Sequence, residues 1–564
     1  MLKEELKNLI EGEVDDSSAI LEKYSHDYSI FEVKPEIVVF PKNKEDIKKI
    51  VKFVSKKREL GFNISITPRA AGTCMSGGSL NTSIILDTTK HINGVIDIKR
   101  GDFGKRKSFS GKEYEIKGLV SVLPGTFYRD MEKKTLEYGL IMPCYPASKE
   151  LCAVGGMVAN NGAGEKTLKY GQNKDLVESL KVILYDGEEY EIKPLTREEL
   201  EAQILENNTL SDVYRKVWNL IKRNFEEIKN AKPKTSKNSS GYLLWDVWDP
   251  VNEIFDPIKL FVSAQGTTGI ITEITYRLVE VEKNSTLLVV FVKDLEEIPQ
   301  ITHELLKNDV ETLELYDDHT IKFAVRFFFD FVKNKGLLGT IKYALRFLPE
   351  FFMILSSGVP KVIVLAEFVS NNKDEILREA RVAQSKLSGF RVKTRITKDD
   401  EEREKYFSIR RDSFKLLSDH SKGKRTAPFI DDVVVPIDNL PKYLPELTKI
   451  LSENNILYTV AGHLGDGNLH VIPLMDFKDP NTVNIIKNVT EKVYEIVKKY
   501  NGSITAEHND GLIRTPYLKM MFGEKISSIF TEFKEIMDPQ NIFNPKKKVG
   551  ATVSDIEKYI IRKK

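Results

Sequence analysis

Hydrophobic positions along the chain switch between two periods. In PEIVVFPKNKEDIKKIVKFVSKKRELGFNISITPRAAGT, from residue 35, β-branched runs at 37–40 and 64–67 predict strands. Between them Ile47, Ile50, Val51 and Val54 recur at helical spacing, so the stretch reads as strand, helix, strand, with Gly61 closing the helix. GLVSVLPGTFYRDMEKKTLEYGLIMPCYP repeats that order around a PGT turn and enters a proline-rich turn. Next comes ELCAVGGMVANNGAGEKTLKYGQ, dense in Gly, Ala and Asn. It is followed by strand-like DLVESLKVILYDGEEYEI, a charged helical stretch to about residue 230, and loop-like AKPKTSKNSSGYLLWD. KLFVSAQGTTGIITEITYRLVEV closes this half with two apolar runs broken by a glycine-rich turn.

After about residue 284 the texture changes. STLLVVFVKDLEEIPQITHELL and PKVIVLAEFVSNNKDEILREARVAQSKL each read as strand then helix, which predicts a second α+β domain with an antiparallel sheet. It extends through ILYTVAGHLGDGNLHVIPLM to about residue 500, and GEKISSIFTEFKEIMDPQNIFNPKKKV reads as one helix with an irregular end. The expected class is α+β throughout.

Composition narrows the function classes. A chain of 564 residues is too long for one ordinary core, and 41% hydrophobic with 30% charged residues describes a globular protein. The formal net charge of +2 gives no global case for nucleic acid or an anionic membrane, and the lysines read mostly as solvated faces. Three cysteines, Cys74, Cys144 and Cys152, form no CxxC and suit a reducing compartment. With no signal-like start and no apolar run near membrane-spanning length, the expectation is a cytoplasmic protein. Residues 320–365, rich in Phe and Leu with interspersed Lys and Arg, qualify that. They read as helices packing on their own domain, or as a surface for a partner or for peripheral contact with the inner membrane face.

Three clusters of small residues carry the first chemistry: PRAAGTCMSGGSL at 68–80, GGMVANNGAG at 155–164 and AQGTTGIITEI at 264–274. Small residues let backbone N–H groups approach a ligand and form an anion-binding concavity. The first cluster is neither GxGxxG nor GxxxxGK[ST], so neither nucleotide fingerprint applies. The second is too poor in side-chain volume for a normal core and too apolar for a solvated loop. Three such clusters separated by βα units imply one extended cofactor lying across a domain.

The order PRAAGTxxSGG, PGT, GGMVANNGAG…YG, GTTGIITE resembles the FAD-binding domain of the vanillyl-alcohol-oxidase superfamily, the PCMH type. GHLGDGNLH, AEHNDG and FNPKKKV narrow the resemblance to the D-lactate, glycolate and D-2-hydroxyglutarate dehydrogenase branch. It implies a two-part FAD-binding domain at 1–283 (core about 35–280), a substrate or cap domain at 284–500, and a segment 501–564 returning to the flavin. By similarity, Arg69, Ala70, Ala71, Gly72, Thr73, Cys74, Ser76 and Gly77 cradle the FAD pyrophosphate, with Pro124 and Gly125 of the PGT turn also on the cofactor. Pro146, Ala147, Ser148, Gly155, Gly156, Asn161, Gly164, Gly266, Gly269, Ile270 and Ile271 line the ribityl chain and ring, and Asn544 closes over the ring. Many relatives have RGGGT where this chain has Arg69-Ala70-Ala71-Gly72-Thr73; alanine still permits close approach. No histidine stands at 68–80 or 146–164, so the FAD is expected to be non-covalent.

GHLGDGNLH, residues 462–470, spends two of eight histidines around an Asp-Gly pair. Asp466-Gly467 favours a two-residue type I′ hairpin turn, which sets 465 against 468, 464 against 469 and His463 against His470. Opposed residues share a face with Cβ atoms about 4.5–5.5 Å apart, a spacing suited to one ion of Zn, Fe or Mn. GSITAEHNDG offers Glu507 as a carboxylate ligand with His508 beside it. In the family the resemblance names, residues matching His463, His470 and Glu507 hold the metal, and those matching His508 and Asn468 meet the substrate.

Oxidising a 2-hydroxy acid requires a base for the hydroxyl proton, for which neutral His508 serves, and a metal that acidifies the hydroxyl. The substrate carboxylate needs a cation: Arg410 or Arg411 in YFSIRRDSF, with the family pattern favouring Arg410. Ile430 and Asp431 fall in a segment where hydroxyglutarate-specific relatives carry a lysine, which favours a monocarboxylate such as D-lactate or glycolate. The residues contain no CxxCxxCxxxCP run, so electrons are expected to leave for a separate acceptor: an iron–sulfur subunit, a quinone or an electron-transferring flavoprotein. Two rival readings are an alkyl-dihydroxyacetone-phosphate-synthase-like transferase, which needs a consecutive-histidine loop absent here, and an electron-transfer subunit with a vestigial substrate site.

Overall fold

The computed structural model describes residues 2–107, 111, 113–318, 320, 358–419 and 423–562; the side chains of 410–419 are outside that description. The chain divides into two compact units. One is Met1–Pro233 with Lys237–Val281 and Thr505–Ile561; the other is Lys234–Ser236, Glu282–Ile504 and Arg562–Lys564.

The first unit opens as its periodicity predicts. Asn43 accepts a hydrogen bond from Asp46 N and starts the helix Lys44–Glu59, and Gly61, at φ +86°, follows its end. The apolar stripe Ile47, Ile50, Val51 and Val54 is buried with Ile37, Val39, Ile66, Ile84 and Leu86 of a four-stranded sheet. Each such side chain stabilises the unit by about 1.5–3 kcal/mol. The strand order is Glu13–Asp15, Ile37–Phe40, Ile84–Asp87, Ile66–Arg69, parallel except for the first. Residues from the far end of the chain extend this sheet. Ile66 N donates to Ile542 O (2.7 Å) and Asn544 N to Ile66 O (2.8 Å).

A second sheet of the same unit is antiparallel. Its order is Glu189–Ile192, Val177–Ile183, Ile270–Glu280, Gly118–Val122, Val95–Arg100, with Leu140–Ile141 also paired to Ile270–Glu280. The GGMVANNGAG stretch departs from expectation: Val154–Asn160 is a short helix, and Val154, Met157 and Val158 are core residues packed with Val120, Val122, Tyr128 and Met131. Its few bulky residues all fall on one helical face, which is enough for a core and leaves the glycine face bare.

The second unit is built on an antiparallel sheet ordered Val392–Ile396, Asn284–Val292, Val362–Ser370, Thr312–Asp317, Leu457–His463, Asn468–Met475, Arg425–Thr426, with Val433–Val434 also paired to Asn468–Met475. One face carries Val289, Phe291, Leu365, Ile363 and Tyr316, covered by Tyr406 and Phe407 of the helix Asp400–Asp419. The strand Asn284–Val292 is buried from Thr286 onward, and the helix Lys373–Lys386 also packs on it. Residues 321–357, most of the Phe-rich stretch, lie outside the described residues. Among the described residues no helix is long and apolar enough to cross a membrane.

Candidate active site

In the first unit the chain leaves the strand Ile66–Arg69 and enters the 70–80 loop. Apart from Ser76 N–H, which is given to Cys74 Sγ, no protein acceptor among the described residues takes the backbone N–H groups of residues 71–77. Gly72, Ser76 and Gly77 are buried. Successive unsatisfied N–H groups in a partly buried loop match an anion as ligand, which fits a pyrophosphate. The Arg69 guanidinium lies against Gly72 of this loop, donates to His26 O (2.7 Å) and Tyr24 O (3.3 Å) and stacks over the Tyr24 ring. Its part is to brace the strand end. Lys547 reaches Leu80 O at the other end of the loop, and burial pushes its ammonium down to about 7. The sequence reading had treated lysines as solvated and missed it.

Several of the remaining cofactor candidates lie at close backbone range to neighbouring segments. A side chain at Gly125 would overlap Thr88 O, one at Gly155 would overlap Pro124, and one at Gly164 would overlap Tyr145 O. At Gly156 a Cβ would meet only Ala70 Cβ, at 3.5 Å. Asn161, left-handed at φ 53°, donates to Asn238 O (3.2 Å) and accepts from Lys174 N (2.9 Å). Pro146 and Ser148 turn the chain through bonds from Lys149 N and Cys152 N, around Ala147. Gly266 and Gly269 have positive φ and lead into Ile270 and Ile271. Asn544 Nδ2 donates to Gly78 O (2.8 Å) and Gln265 O (2.6 Å), and its Oδ1 accepts from Thr67 (2.7 Å), so its carboxamide ties three segments together.

Cys74 Sγ accepts from Gly78 N at 3.3 Å, Cys144 and Cys152 are buried, and burial pushes all three thiols up, Cys152 to about 12. None is set up as a thiolate.

The 505–515 segment threads the same unit. Gln172 and Ser239 donate to Ala506 O (3.0 and 2.7 Å), Ser76 Oγ donates to His508 O (3.2 Å), and Asn509 Nδ2 donates to Ser263 O (3.0 Å). Between these anchors Glu507 is paired with Lys237, Nζ to Oε2 at 2.9 Å, both buried. His508 Nε2 lies 4.0 Å from Glu507 Oε1. Lys237 comes from the TSKNSSGY stretch that looked like solvated loop; a buried ion pair of this kind survives only with its partner in place.

In the second unit the hairpin differs from the expected one. The connection is a 3₁₀ turn, Leu464–Asp466, followed by Gly467 in the left-handed region (φ 67°). His463 therefore opposes Asn468, and Ala461 opposes His470. The physical reason is that Asp466 is drawn into the turn, its carboxylate accepting from Ser236 Oγ (2.6 Å), while Gly467 O accepts from Val435 N (2.9 Å). The register moves by two residues, an even number, so the two histidines still share a face. Their ring centroids are 5.3 Å apart and edge-on.

The same face carries Glu314, directly paired with His463 across the neighbouring strand, and Tyr316, paired with Ala461. His463 Nδ1 is 2.7 Å from Glu314 Oε1, and His470 Nδ1 is 3.3 Å from Asp431 Oδ1. Asn468 Nδ2 donates to Asp432 Oδ1 (3.2 Å) and Val433 O (3.1 Å), so both its donors are spent inside the protein. Arg410 and Arg411 belong to the helix Asp400–Asp419, which packs on this histidine face through Tyr406 and Phe407; their side chains lie outside the described residues.

An ionised carboxylate only accepts, so Glu314 and Asp431 place the proton of each imidazole on Nδ1 and leave Nε2 as the donor atom. Two such nitrogens on one sheet face fit a divalent ion.

Loops made of main-chain donors on a two-sheet unit, followed by an antiparallel α+β unit, define the class of FAD-binding flavoproteins. Residues 35–193 match the family model described as FAD binding domain, and residues 281–548 match FAD linked oxidases, C-terminal domain. Between them these two matches, to an FAD binding domain and to the C-terminal domain of FAD linked oxidases, cover most of the chain. It is 24% identical over 536 residues to the D-2-hydroxyglutarate dehydrogenase of Escherichia coli, covering 93% of this chain and 49% of that relative. The chain thus spans about half the length of that protein. To the glycolate oxidase subunit GlcD of Bacillus subtilis it is 24% identical over 538 residues, covering 94% of this chain and 93% of the relative. A solved alkyldihydroxyacetonephosphate synthase has the same fold, with TM-score 0.61, 14% identity, and coverage of 96% of this chain and 84% of that one.

Proposed function

We propose that the protein oxidises a small D-2-hydroxy acid, of the D-lactate or glycolate kind, to the 2-oxo acid, with non-covalent FAD as the hydride acceptor. The observation that carries this reading is the pair His463 and His470 on one sheet face, each with Nδ1 on a buried carboxylate. FAD, when bound along the small-residue segments, supplies a two-electron acceptor. A divalent ion, if held by His463, His470 and Glu507, would supply a Lewis acid that lowers the pKa of the substrate hydroxyl.

The protein's own groups do the rest. The 71–77 N–H groups hold the pyrophosphate, with Lys547 beside the loop as a source of positive charge. Lys237 holds Glu507 through Oε2 and so fixes the position of its carboxylate. His508, the next residue, accepts the hydroxyl proton. Arg410, from the helix over the histidine face, pairs with the substrate carboxylate. Asn468 holds Asp432 and Val433 and so fixes the loop beside the histidines. Ile430 and Asp431 favour a monocarboxylate over a dicarboxylate, because neither supplies a second cation. Electrons pass to a separate acceptor, an iron–sulfur subunit, a quinone or an electron-transferring flavoprotein. Residues 320–365 are the proposed docking region.

The shared fold of the alkyldihydroxyacetonephosphate synthase supports a second reading, a transferase without net redox turnover. The absence of consecutive histidines anywhere in the sequence weighs against it. The test is anaerobic mixing of the flavin-loaded protein with a panel of D- and L-2-hydroxy acids. Bleaching of the flavin absorbance by a D-isomer supports dehydrogenation; an unchanged spectrum across the panel overturns it.

A further inference from the structure

Two carboxylates in the second unit take no part in the proton and hydride transfer as written. Glu314 lies in the middle of the strand Thr312–Asp317, between Leu313 and Leu315, and is fully buried. Asp431, just before the strand Val433–Val434, is equally buried. A buried carboxylate is expensive unless something gains from its charge. Both point at imidazole Nδ1 atoms of the same pair.

Glu314 and His463 are cross-strand partners in direct register, so their side chains must leave the sheet on one face as neighbours. The contact at 2.7 Å is short, and both groups are shielded from water. Asp431 meets His470 at 3.3 Å, and His470 is the more exposed of the two histidines, with 17% of its side chain accessible. A carboxylate on Nδ1 fixes the ring plane and the tautomer, and it makes Nε2 a stronger donor to a cation.

We propose that Glu314 and Asp431 are positioning residues for a divalent cation: they hold His463 and His470 with both Nε2 atoms presented to one ion, Glu314 exerting the larger effect. The inference rests on the metal-assisted reading above. It adds that the cation site extends one shell outward, into a strand with no histidine of its own. The two contacts are unequal, so the two histidines are not equivalent ligands.

The experiment uses the full FAD-loaded chain, stripped of metal, titrated with zinc in competition with a chromophoric chelator. Wild type is expected to take up one zinc tightly. Glu314→Ala is expected to lose about 10- to 100-fold in affinity. Asp431→Ala loses less than Glu314→Ala. Glu314→Gln, whose carboxamide oxygen still accepts from Nδ1–H, recovers part of the loss. Thermal unfolding of each metal-free variant separates a folding defect from a ligand defect. A metal-free Glu314→Gln that melts like wild type yet binds zinc as weakly as Glu314→Ala overturns positioning by the hydrogen bond. Wild-type zinc affinity in a folded Glu314→Ala overturns the proposal outright. Wild type that takes up no zinc sinks the metal reading itself, and the proposal with it.

Discussion

The Ala71–Gly77 loop and the 457–475 hairpin both prepare a place for a ligand, one with main chain and the other with side chains. In the loop, N–H groups of small residues other than Ser76 are left without protein acceptors among the described residues, and the side chains nearby serve to hold the backbone still: Arg69 on His26 and Tyr24, Asn544 on Gly78, Gln265 and Thr67. In the hairpin the backbone is fully laddered, and the chemistry sits in imidazoles braced by buried acids. A main-chain site tolerates changes of side chain that leave the backbone where it is. A side-chain site tolerates almost none.

The largest effect expected from breaking that contrast is at the histidines. On the proposed reading, His463→Ala or His470→Ala removes a metal ligand. Flavin reduction by the substrate should fall about 10³-fold, the several kcal/mol a Lewis acid supplies, with bound flavin retained. Stopped-flow absorbance reads both. Next is the buried pair in the first unit. Lys237→Met leaves the Glu507 charge uncompensated and should destabilise the chain by about 3–5 kcal/mol in denaturant unfolding. Lys237→Met with Glu507→Gln should regain most of that loss, since no lone buried charge remains.

A smaller effect is pH-dependent. Burial holds Lys547 near 7 in the folded chain against an ordinary value of 10.5, so between those limits the unfolded chain binds the extra proton. Stability of the FAD-free protein should therefore rise with pH from about 7 upward, by a few kcal/mol at most, and lose nothing further below about 7. Lys547→Met should flatten that slope. The smallest effects lie at two glycines of the cradle. Gly164→Ala drives a Cβ into Tyr145 O and should cost about 1–3 kcal/mol of stability. Gly156→Ala meets nothing closer than 3.5 Å, so stability should hold while FAD affinity, followed by flavin fluorescence, falls.

Legibility in the sequence follows the same divide. The opening strand–helix–strand, the antiparallel sheet of the second unit and the small-residue clusters were all visible, because period and side-chain size are local properties. The face shared by His463 and His470 was visible too, though through an assumed turn that the structure replaces. The parity of a strand survives a shift of two residues, and the turn type does not matter to it. Lys237, Glu314 and Lys547 were invisible as site residues. Each is a charged side chain whose meaning depends on a partner 270, 149 or 467 positions away in the chain. Glu314 left one faint signal, a lone acid inside the apolar strand TLELYD. The hydrogen bonds of Asn544 were equally illegible: they join three segments that meet only in the fold.

The most direct test is the anaerobic rate of flavin reduction by D-lactate before and after metal chelation, followed by zinc addition. Bleaching that chelation abolishes and zinc restores is the result expected. Bleaching at an unchanged rate in the fully chelated protein would contradict the role given to His463, His470 and Glu507.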